Sequence, residues 1–371
     1  MKPRLLLVGR RRYKLPLPFS EQLKFDAMAG ALDVHVLGSA ATGSPLRDET
    51  FTLVPPLRPR LLDGLFFHAS LPFRIRRLLR DFQPDAVLVQ GAHDAASAVI
   101  ARRLARSRTK VILDVHGDWR TATRLYGSST RRVLNPFADR VAAWAVRHVD
   151  AVRTVSDFTT GLVREQGVEP AATFPAFMDL DPFLVPPVPL PERPVALFVG
   201  ALELYKGVDL LVDAWPRVAE QVPGASLRLI GAGTREDLAR TLVDRGPNVT
   251  WESGLAPEEI ADALDAATCL VLPSRREGMG RVVVEAFCRG RAVVGARGGG
   301  IEDLVTHGEN GLLFASDDAD GLARALVRVL SNRELASGFG LVAKAGSEHW
   351  FATPEEYAAR VRALVTGDEE R

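Results

Sequence analysis

Short apolar runs rich in Val, Ile and Leu alternate with longer stretches of helical periodicity along nearly the whole chain. A strand that is apolar on both faces must be covered on both faces, so such runs read as buried parallel strands joined by crossover helices. Strands of a first sheet are predicted at Leu5–Val8, Val34–Leu37, Ala86–Gln90, Val111–Val115, Ala151–Thr154 and Thr173, with helices at Glu21–Ala31, Pro72–Asp81, Asp94–Arg106, Thr130–His148 and Phe158–Gln166. A second series has strands at Val195–Val199, Ser226–Ile230, Val249–Trp251, Cys269–Leu272, Ala292–Gly295 and Gly311–Phe314. Its helices are predicted at Gly207–Gln221, Thr234–Arg245, Pro257–Ala267, Arg281–Arg289 and Asp320–Leu330. The expected fold class is therefore α/β, with two Rossmann-like doubly wound parallel-sheet domains facing across a cleft and ligands at the carboxyl ends of the strands.

At 371 residues the chain exceeds what one core usually organises. The stretch Asp181–Pro194 holds six prolines, which break helices and ladders and favour an extended linker. The expected division is a domain over 1–185, a linker over 186–193, a second domain over 194–345 and a crossover helix with its tail over 346–371. That last helix, near Pro354–Thr366, follows His349, Trp350 and Phe351 and has no strand left to serve, so it is expected to pack back across the domain junction. Cutting at Val185 exposes a charge asymmetry, with 27 basic and 18 acidic residues before the cut and 20 basic and 28 acidic after it. Cys269 and Cys288 are the only cysteines, which excludes a disulfide framework and a four-cysteine zinc site. No apolar run is long enough to span a bilayer and the N-terminal run is too short for a signal segment, so a cytoplasmic location is expected.

The most informative stretch is Pro273–Phe314, PSRREGMGRVVVEAFCRGRAVVGARGGGIEDLVTHGENGLLF. Glu277 falls in the loop after a strand and Glu285 about one turn into the next helix, so both carboxylates can face the strand ends. A carboxylate there can accept hydrogen bonds from a vicinal diol or from sugar hydroxyls. An isolated pair at this spacing is more often a solvated helix face. Here it is followed one βα unit later by RGGGIED, Arg297–Asp303, whose glycines let backbone N–H groups approach a phosphate. The helix start at Gly278–Arg281 adds free N–H groups suited to an anion. Lys206 follows the strand Val195–Val199 and the turn glycine Gly200, where an ammonium can neutralise a diphosphate, although a lysine before a helix is commonly just solvated.

Taken together, FVGALELYKGVDLL, LRLIGAG, EGMGRVVVEAFCRGRAVV and GGIEDLVTHGENGLLF resemble the donor domain of retaining family 4 glycosyltransferases, which share the GT-B fold. The resemblance covers essentially the whole chain and is most specific over Val195–Phe314. It implies that Glu277 and Glu285 contact the donor sugar and the nucleotide ribose, that Lys206 binds the diphosphate, and that Gly200, Gly231, Gly299, Gly300 and Ile301 line the donor pocket. The family carries an arginine directly after the first-strand glycine, where this chain has Ala201; either another base such as Arg281 serves or affinity is reduced. In the first half the family has a glycine-rich loop after strand one. Here Gly9 is followed by Arg10, Arg11 and Arg12, which implies an acceptor or phosphate pocket of unusual charge. His116, in ILDVHGDW at the end of a strand, matches the family's histidine near acceptor and donor sugar, with Asp118 as its support. A lone strand-end histidine is otherwise a satisfied structural group. Ser156 reads equally as a helix cap, and from the family's Pro-Asn-Gly-x-Asp stretch only Asp179 carries over.

The triplets Asp179–Asp181 and Asp318–Asp320 resemble metal-binding D-x-D motifs, but their settings are an interdomain segment and a helix start. The expectation is accordingly no metal and no cofactor, with a nucleotide-diphosphate sugar as substrate and a glycan or lipid-linked glycan as acceptor. The segment Leu57–Arg80 interleaves Phe66, Phe67, Leu71, Phe73 and Ile75 with six arginines. This suits an anionic membrane surface, unless it is an ordinary amphipathic helix packed on its sheet. No stacking platform or helix-turn-helix spacing supports nucleic acid as a partner. Rival readings are a nucleotide-sugar epimerase of the same fold and a non-catalytic sugar-nucleotide-binding protein. A dinucleotide oxidoreductase is disfavoured, because Gly231–Gly233 lack the G-x-G-x-x-G spacing.

Overall fold

A computed structural model describes residues 1–57, 60–120 and 129–368. The chain divides into two compact units, Met1–Phe177 with Ala352–Arg371, and Met178–Phe351. In the first, the strands are β1 (Arg4–Tyr13), β2 (Asp33–Ala40), β3 (Phe51–Val54), β4 (Ala86–Gln90), β5 (Lys110–Val115), β6 (Ala151–Thr154) and β7 (Ala172–Thr173). They form a parallel sheet of order β3-β2-β1-β4-β5-β6-β7. The crossovers carry α1 (Phe19–Ala31), α2 (Arg60–Asp81), α3 (Ala92–Ala105), α4 (Ser129–His148) and α5 (Asp157–Arg164). Period-two alternation sends side chains to opposite faces of the sheet. Val8, Val87, Val89 and Leu113 meet Phe67, Leu71 and Ile75 of α2 and Val99 of α3. Leu5, Leu88 and Ile112 meet Met28 of α1 on the other face.

The second unit repeats the plan with six parallel strands: β8 (Val195–Val199), β9 (Ser226–Ile230), β10 (Val249–Glu252), β11 (Cys269–Leu272), β12 (Ala292–Ala296) and β13 (Gly311–Phe314). Their order is β10-β9-β8-β11-β12-β13. The helices are α6 (Val208–Gln221), α7 (Glu236–Arg245), α8 (Pro257–Asp265), α9 (Arg281–Cys288), α10 (Ala319–Leu330) and α11 (Arg333–Gly346). Trp215 of α6 is fully buried and donates its indole N–H to the Pro247 carbonyl at 2.9 Å. The last helix, α12 (Pro354–Thr366), belongs to the first unit, where Tyr357, Val361 and Leu364 pack in the same cluster as Met28.

Four features depart from the sequence expectation. The basic stretch after Val8 is strand, not loop, and β1 continues to Tyr13 through a register shift between Val8 and Arg12. It is held there by Arg10 and Arg12, which pair with Asp63 at 3.2 and 3.3 Å, by Arg11, which pairs with Glu21, and by Tyr13, packed edge-on against Phe25 and Phe51. Helix α2 starts well before the predicted Pro72 and carries that proline in its interior; a proline there costs about 3 kcal/mol, and burial of Phe67, Leu71 and Ile75 offsets it. Strand β3, a four-residue edge strand, was not predicted. Helix α11 was hidden by Gly338, Gly340 and Gly346, which weaken helix propensity. Of the three, Gly340 matters to packing: a Cβ there would lie 2.1 Å from the Gly290 carbonyl oxygen.

The Pro-rich segment is not a free linker, since the division between the units falls at Phe177 and the segment lies against the second unit. Proline removes N–H donors but leaves carbonyls needing partners, and arginines supply them. Arg289 donates to Val185 O at 2.5 Å, Arg291 to Val188 O at 3.0 Å and Arg333 to Leu190 O at 2.5 Å. Arg289, with its side chain 1% exposed, is also paired through two nitrogens with Asp265. Removing one partner of a buried pair leaves the other uncompensated, at a cost of about 3 kcal/mol. Arg289→Ala is thus expected to lower unfolding stability by about that amount, measured by urea denaturation, and to open the segment around Leu184–Leu190 to limited proteolysis.

Candidate active site

In the second sheet the chain leaves β8 toward β9 and later reaches β11 on the opposite side. The two connections diverge, and β8 and β11 pair only at Ala196–Cys269 and Leu197–Leu270. Strand ends that part in this way leave room for a ligand at the reversal of strand order. Beyond β8 the chain is tied to its neighbour: Gly200 N donates to Ile230 O and Leu202 N to Ala232 O, each at 3.0 Å. Gly231 is held from below by Trp251, whose indole N–H donates to its carbonyl at 2.9 Å. The next turn, Leu204–Lys206, is 3₁₀ and aims Lys206 toward the loop after β11.

There Lys206 Nζ meets Glu277 Oε2 at 2.5 Å, with the two side chains only 12% and 17% exposed. The Gly-rich loop after β12 closes on the same place. Gly300 N donates to Glu277 O at 2.8 Å. A Cβ on Gly299 would lie 2.6 Å from Glu277 O, and one on Gly300 would lie 2.3 Å from Gly278 O. Only glycine allows this approach, and φ of +147° at Gly299 adds to the requirement. The next residue, Ile301, is buried and anchors the loop. Thus Lys206 meets the side chain of Glu277 and Gly299 and Gly300 meet its backbone, from three different strand ends.

Helix α9 begins after Gly280, which has a positive φ, with Arg281 exposed at its first position. Glu285, one turn further, is half-buried; burial raises its pKa above the ordinary glutamate value, and the Arg281 charge opposes that rise in part. Asp179 is raised in the same way, by burial first, with Arg281 again opposing. Arg281 is accordingly the cation that acts on both acids.

Arg275 is a residue that sequence reasoning missed. Its backbone N–H donates to Tyr205 O at 2.7 Å, and its guanidinium reaches Leu204 O at 2.5 Å, Asp209 at 2.8 and 2.6 Å, and Asp317 at 2.6 Å. It bolts the Lys206 turn to the loop that carries Glu277. Hydrogen bonding to Asp209 raises its already high pKa further. The fork shape of arginine was the only signal available, and it becomes informative only once its partners are placed.

The first unit departs from the expected site. Arg10 is engaged with Asp63 within β1 rather than lining a loop, and a Cβ on Gly9 would face Gln90 of β4 at 3.3 Å. Asp118 does not support His116: it accepts from Arg120 N and Arg120 Nε, both at 2.9 Å. His116 Nε2 is instead 2.7 Å from Asp114, a residue absent from the sequence-derived site. Ser156 is the cap of α5, accepting from Thr159 N at 3.2 Å, and Asp318 caps α10, accepting from Gly321 N at 2.8 Å. Among the described residues, no group of three or more His, Cys, Asp or Glu side chains is arranged to hold a metal ion.

Two Rossmann-like sheets, each with its strand order reversed at the centre, are the architecture of the GT-B class. A family model described as Glycosyltransferase Family 4 matches residues 26–181, and one described as Glycosyl transferases group 1 matches residues 193–332. The GDP-mannose-dependent alpha-(1-6)-phosphatidylinositol monomannoside mannosyltransferase of Mycobacterium tuberculosis is 27% identical over 325 residues, covering 81% of this chain and 80% of that protein. Among solved structures, sucrose-phosphate synthase from Thermosynechococcus elongatus matches with a TM-score of 0.79 at 18% identity, over 99% of this chain and 100% of that one. Anabaena HepE, solved in complex with UDP-glucose, matches with a TM-score of 0.68 at 18% identity, over 97% and 99% of the two chains. The chain belongs to the family 4 glycosyltransferases and is a glycosyltransferase.

Because the folded-state pKa of Glu285 is raised, the folded protein holds its proton more tightly than the unfolded chain. Its contribution to stability is full below the ordinary glutamate pKa and is lost as pH rises through the folded value. Glu285→Gln is therefore expected to melt at a higher temperature than the parent at pH 7. The difference should shrink as pH falls toward 4, as read by calorimetric scans across that range.

Proposed function

We propose that this glycosyltransferase moves a hexosyl group from a nucleotide-diphosphate sugar to an acceptor hydroxyl, with retention of anomeric configuration. The observation that carries the reading is the Lys206–Glu277 pair lying against the bare Gly299–Gly300 backbone at the strand-order reversal of the second sheet. Without ligand the two side chains neutralise each other. A donor would exchange those partners, the ammonium turning to the diphosphate and the carboxylate to hydroxyls of the sugar. Glu285 would take the ribose diol, with Gly200, Gly231 and Ile301 shaping the pocket, and Arg281 would supply the second cation that Ala201 cannot. The mycobacterial relative is GDP-mannose-dependent by name and HepE was solved with UDP-glucose, both in keeping with such a donor.

In the reaction the anomeric C–O bond to the diphosphate breaks, and a new bond forms to the acceptor oxygen on the same face. The departing diphosphate accepts the acceptor's proton. Catalysis rests on stabilising the charge of the leaving group and on positioning, and needs no metal or cofactor. Acceptor contacts are assigned to the first unit, through His116. A glycan or lipid-linked acceptor fits the outer surface of α2, where Phe66 is 41% and Phe73 67% exposed beside Arg74, Arg77 and Arg80. Among the described residues no helix is long and apolar enough to cross a membrane, so contact with an anionic surface would be peripheral. The part of the basic segment at Arg58 and Pro59 lies outside the described residues.

A thermal-shift panel of UDP, GDP, UDP-glucose and GDP-mannose identifies the donor, since ligand bound to the native state raises the melting temperature. Glu277→Ala and Lys206→Ala are each expected to cut turnover by about 100- to 1000-fold while circular dichroism stays unchanged; near-parental rates in both would remove this site. NMR of the product's anomeric signal tests retention, and a donor-only incubation that yields an epimerised nucleotide sugar would favour an epimerase. Sedimentation with phosphatidylglycerol vesicles at low salt is expected to carry down the parent and to lose most binding in Phe73→Ser/Arg77→Ser.

A further inference from the structure

A parallel strand covered on both faces is ordinarily apolar throughout, yet β5 and β6 carry Asp114 and Arg153 as direct cross-strand partners. Their side chains are 2% and 1% exposed. Arg153 Nη1 donates to Asp114 Oδ1 at 2.6 Å, and Nη2 donates to Phe174 O at 2.7 Å and Pro175 O at 2.6 Å. Its guanidinium lies 4.0 Å over the Phe174 ring, which meets Tyr357 of α12 edge-on at 6.0 Å. Buried ion pairs of this kind seldom add stability over apolar residues of like volume, so their placement asks for another reason.

That reason stands two residues along the chain, where period-two alternation puts His116 on the same face as Asp114. Asp114 Oδ2 is 2.7 Å from His116 Nε2, and the imidazole is 39% exposed while its partner is enclosed. Burial alone would raise the pKa of Asp114, but Arg153 and His116 outweigh it and hold the carboxyl ionised. A carboxylate can only accept, which puts a proton on Nε2 and, in the neutral ring, leaves the lone pair on Nδ1. Among the described residues nothing bonds to Nδ1.

We propose that Asp114 and Arg153 are positioning residues that fix the ring and the Nε2–H tautomer of His116, so that Nδ1 accepts a hydrogen bond from a substrate hydroxyl. The proposal rests on the reading of His116 as a substrate-contacting residue. It separates this histidine from a general cation: its task is to orient an O–H group, and that task fails if the tautomer is reversed.

Asp114→Asn tests this with little change of shape. The amide oxygen can still accept from Arg153, while its NH₂ faces Nε2 and forces the proton to Nδ1. Imidazole ¹⁵N spectra, with the His116 signals assigned by their loss in His116→Ala, are expected to show Nε2–H in the parent and Nδ1–H in Asp114→Asn. Release of GDP from GDP-mannose and of UDP from UDP-glucose, measured for all three proteins, is expected to fall about 100-fold in kcat for Asp114→Asn, matching His116→Ala, with KM for the donor nearly unchanged. A parental spectrum with Nδ1–H overturns the proposal without any variant being needed. So does a reversed tautomer with parental kcat while His116→Ala is impaired. Full turnover in His116→Ala would instead refute the underlying role of His116, independently of the tautomer result.

Discussion

Right-handed crossovers decide where this protein can do chemistry. A chain that winds outward from the first strand of a parallel sheet, then returns to build the other half, must leave two neighbouring strands whose connections run in opposite directions. In the second unit those strands are β8 and β11, paired over only two residues before they part. Lys206 follows the first, Glu277 the second, and the Gly299–Gly300 turn follows β12 beside them. Each group is carried on a short connection whose base is fixed by the sheet, which is the arrangement that gives a site precision without a dedicated scaffold. The first unit obeys the same rule at β1 and β4, with His116 one strand further along.

Several charges placed within this apolar framework hold neighbouring segments together. Arg275 ties two loops through Asp209, Asp317 and the Leu204 carbonyl. Arg289, Arg291 and Arg333 satisfy carbonyls in a proline-rich segment that is short of N–H groups of its own. Asp114 and Arg153 sit in the middle of a sheet that would be easier to build from valine. Each arrangement exchanges desolvation for geometry, and Glu285, with its pKa raised by burial, does so without a close counter-ion to offset the cost in full. Residues held in unfavourable states of ionisation concentrate where a ligand can relieve them.

Much of this was legible along the chain. The strands at Ala86–Gln90, Ala151–Thr154, Val195–Val199, Ser226–Ile230, Cys269–Leu272 and Gly311–Phe314 fall where they were read, because a strand buried on both faces is mostly apolar along its length. Helix α11 with its glycines and the short strand β3 were missed, and α2 was read only from its internal proline onward. The spacing from Glu277 to Glu285 and the glycine run after β12 were readable because they lie within one βα unit and the next. Asp114, Arg153 and Arg275 were not, since each takes its meaning from partners between 2 and 71 residues away.

By itself, then, the order of residues determined the periodicities, the two parallel sheets and the family motifs of the second unit, all of which depend on neighbours in the chain. Tertiary structure alone decided that Arg10 is occupied by Asp63, that Asp118 belongs to Arg120 and that His116 leans on Asp114. The physical reason is that a charged side chain pairs with whatever the fold brings within about 3 Å, and sequence distance places no limit on that choice.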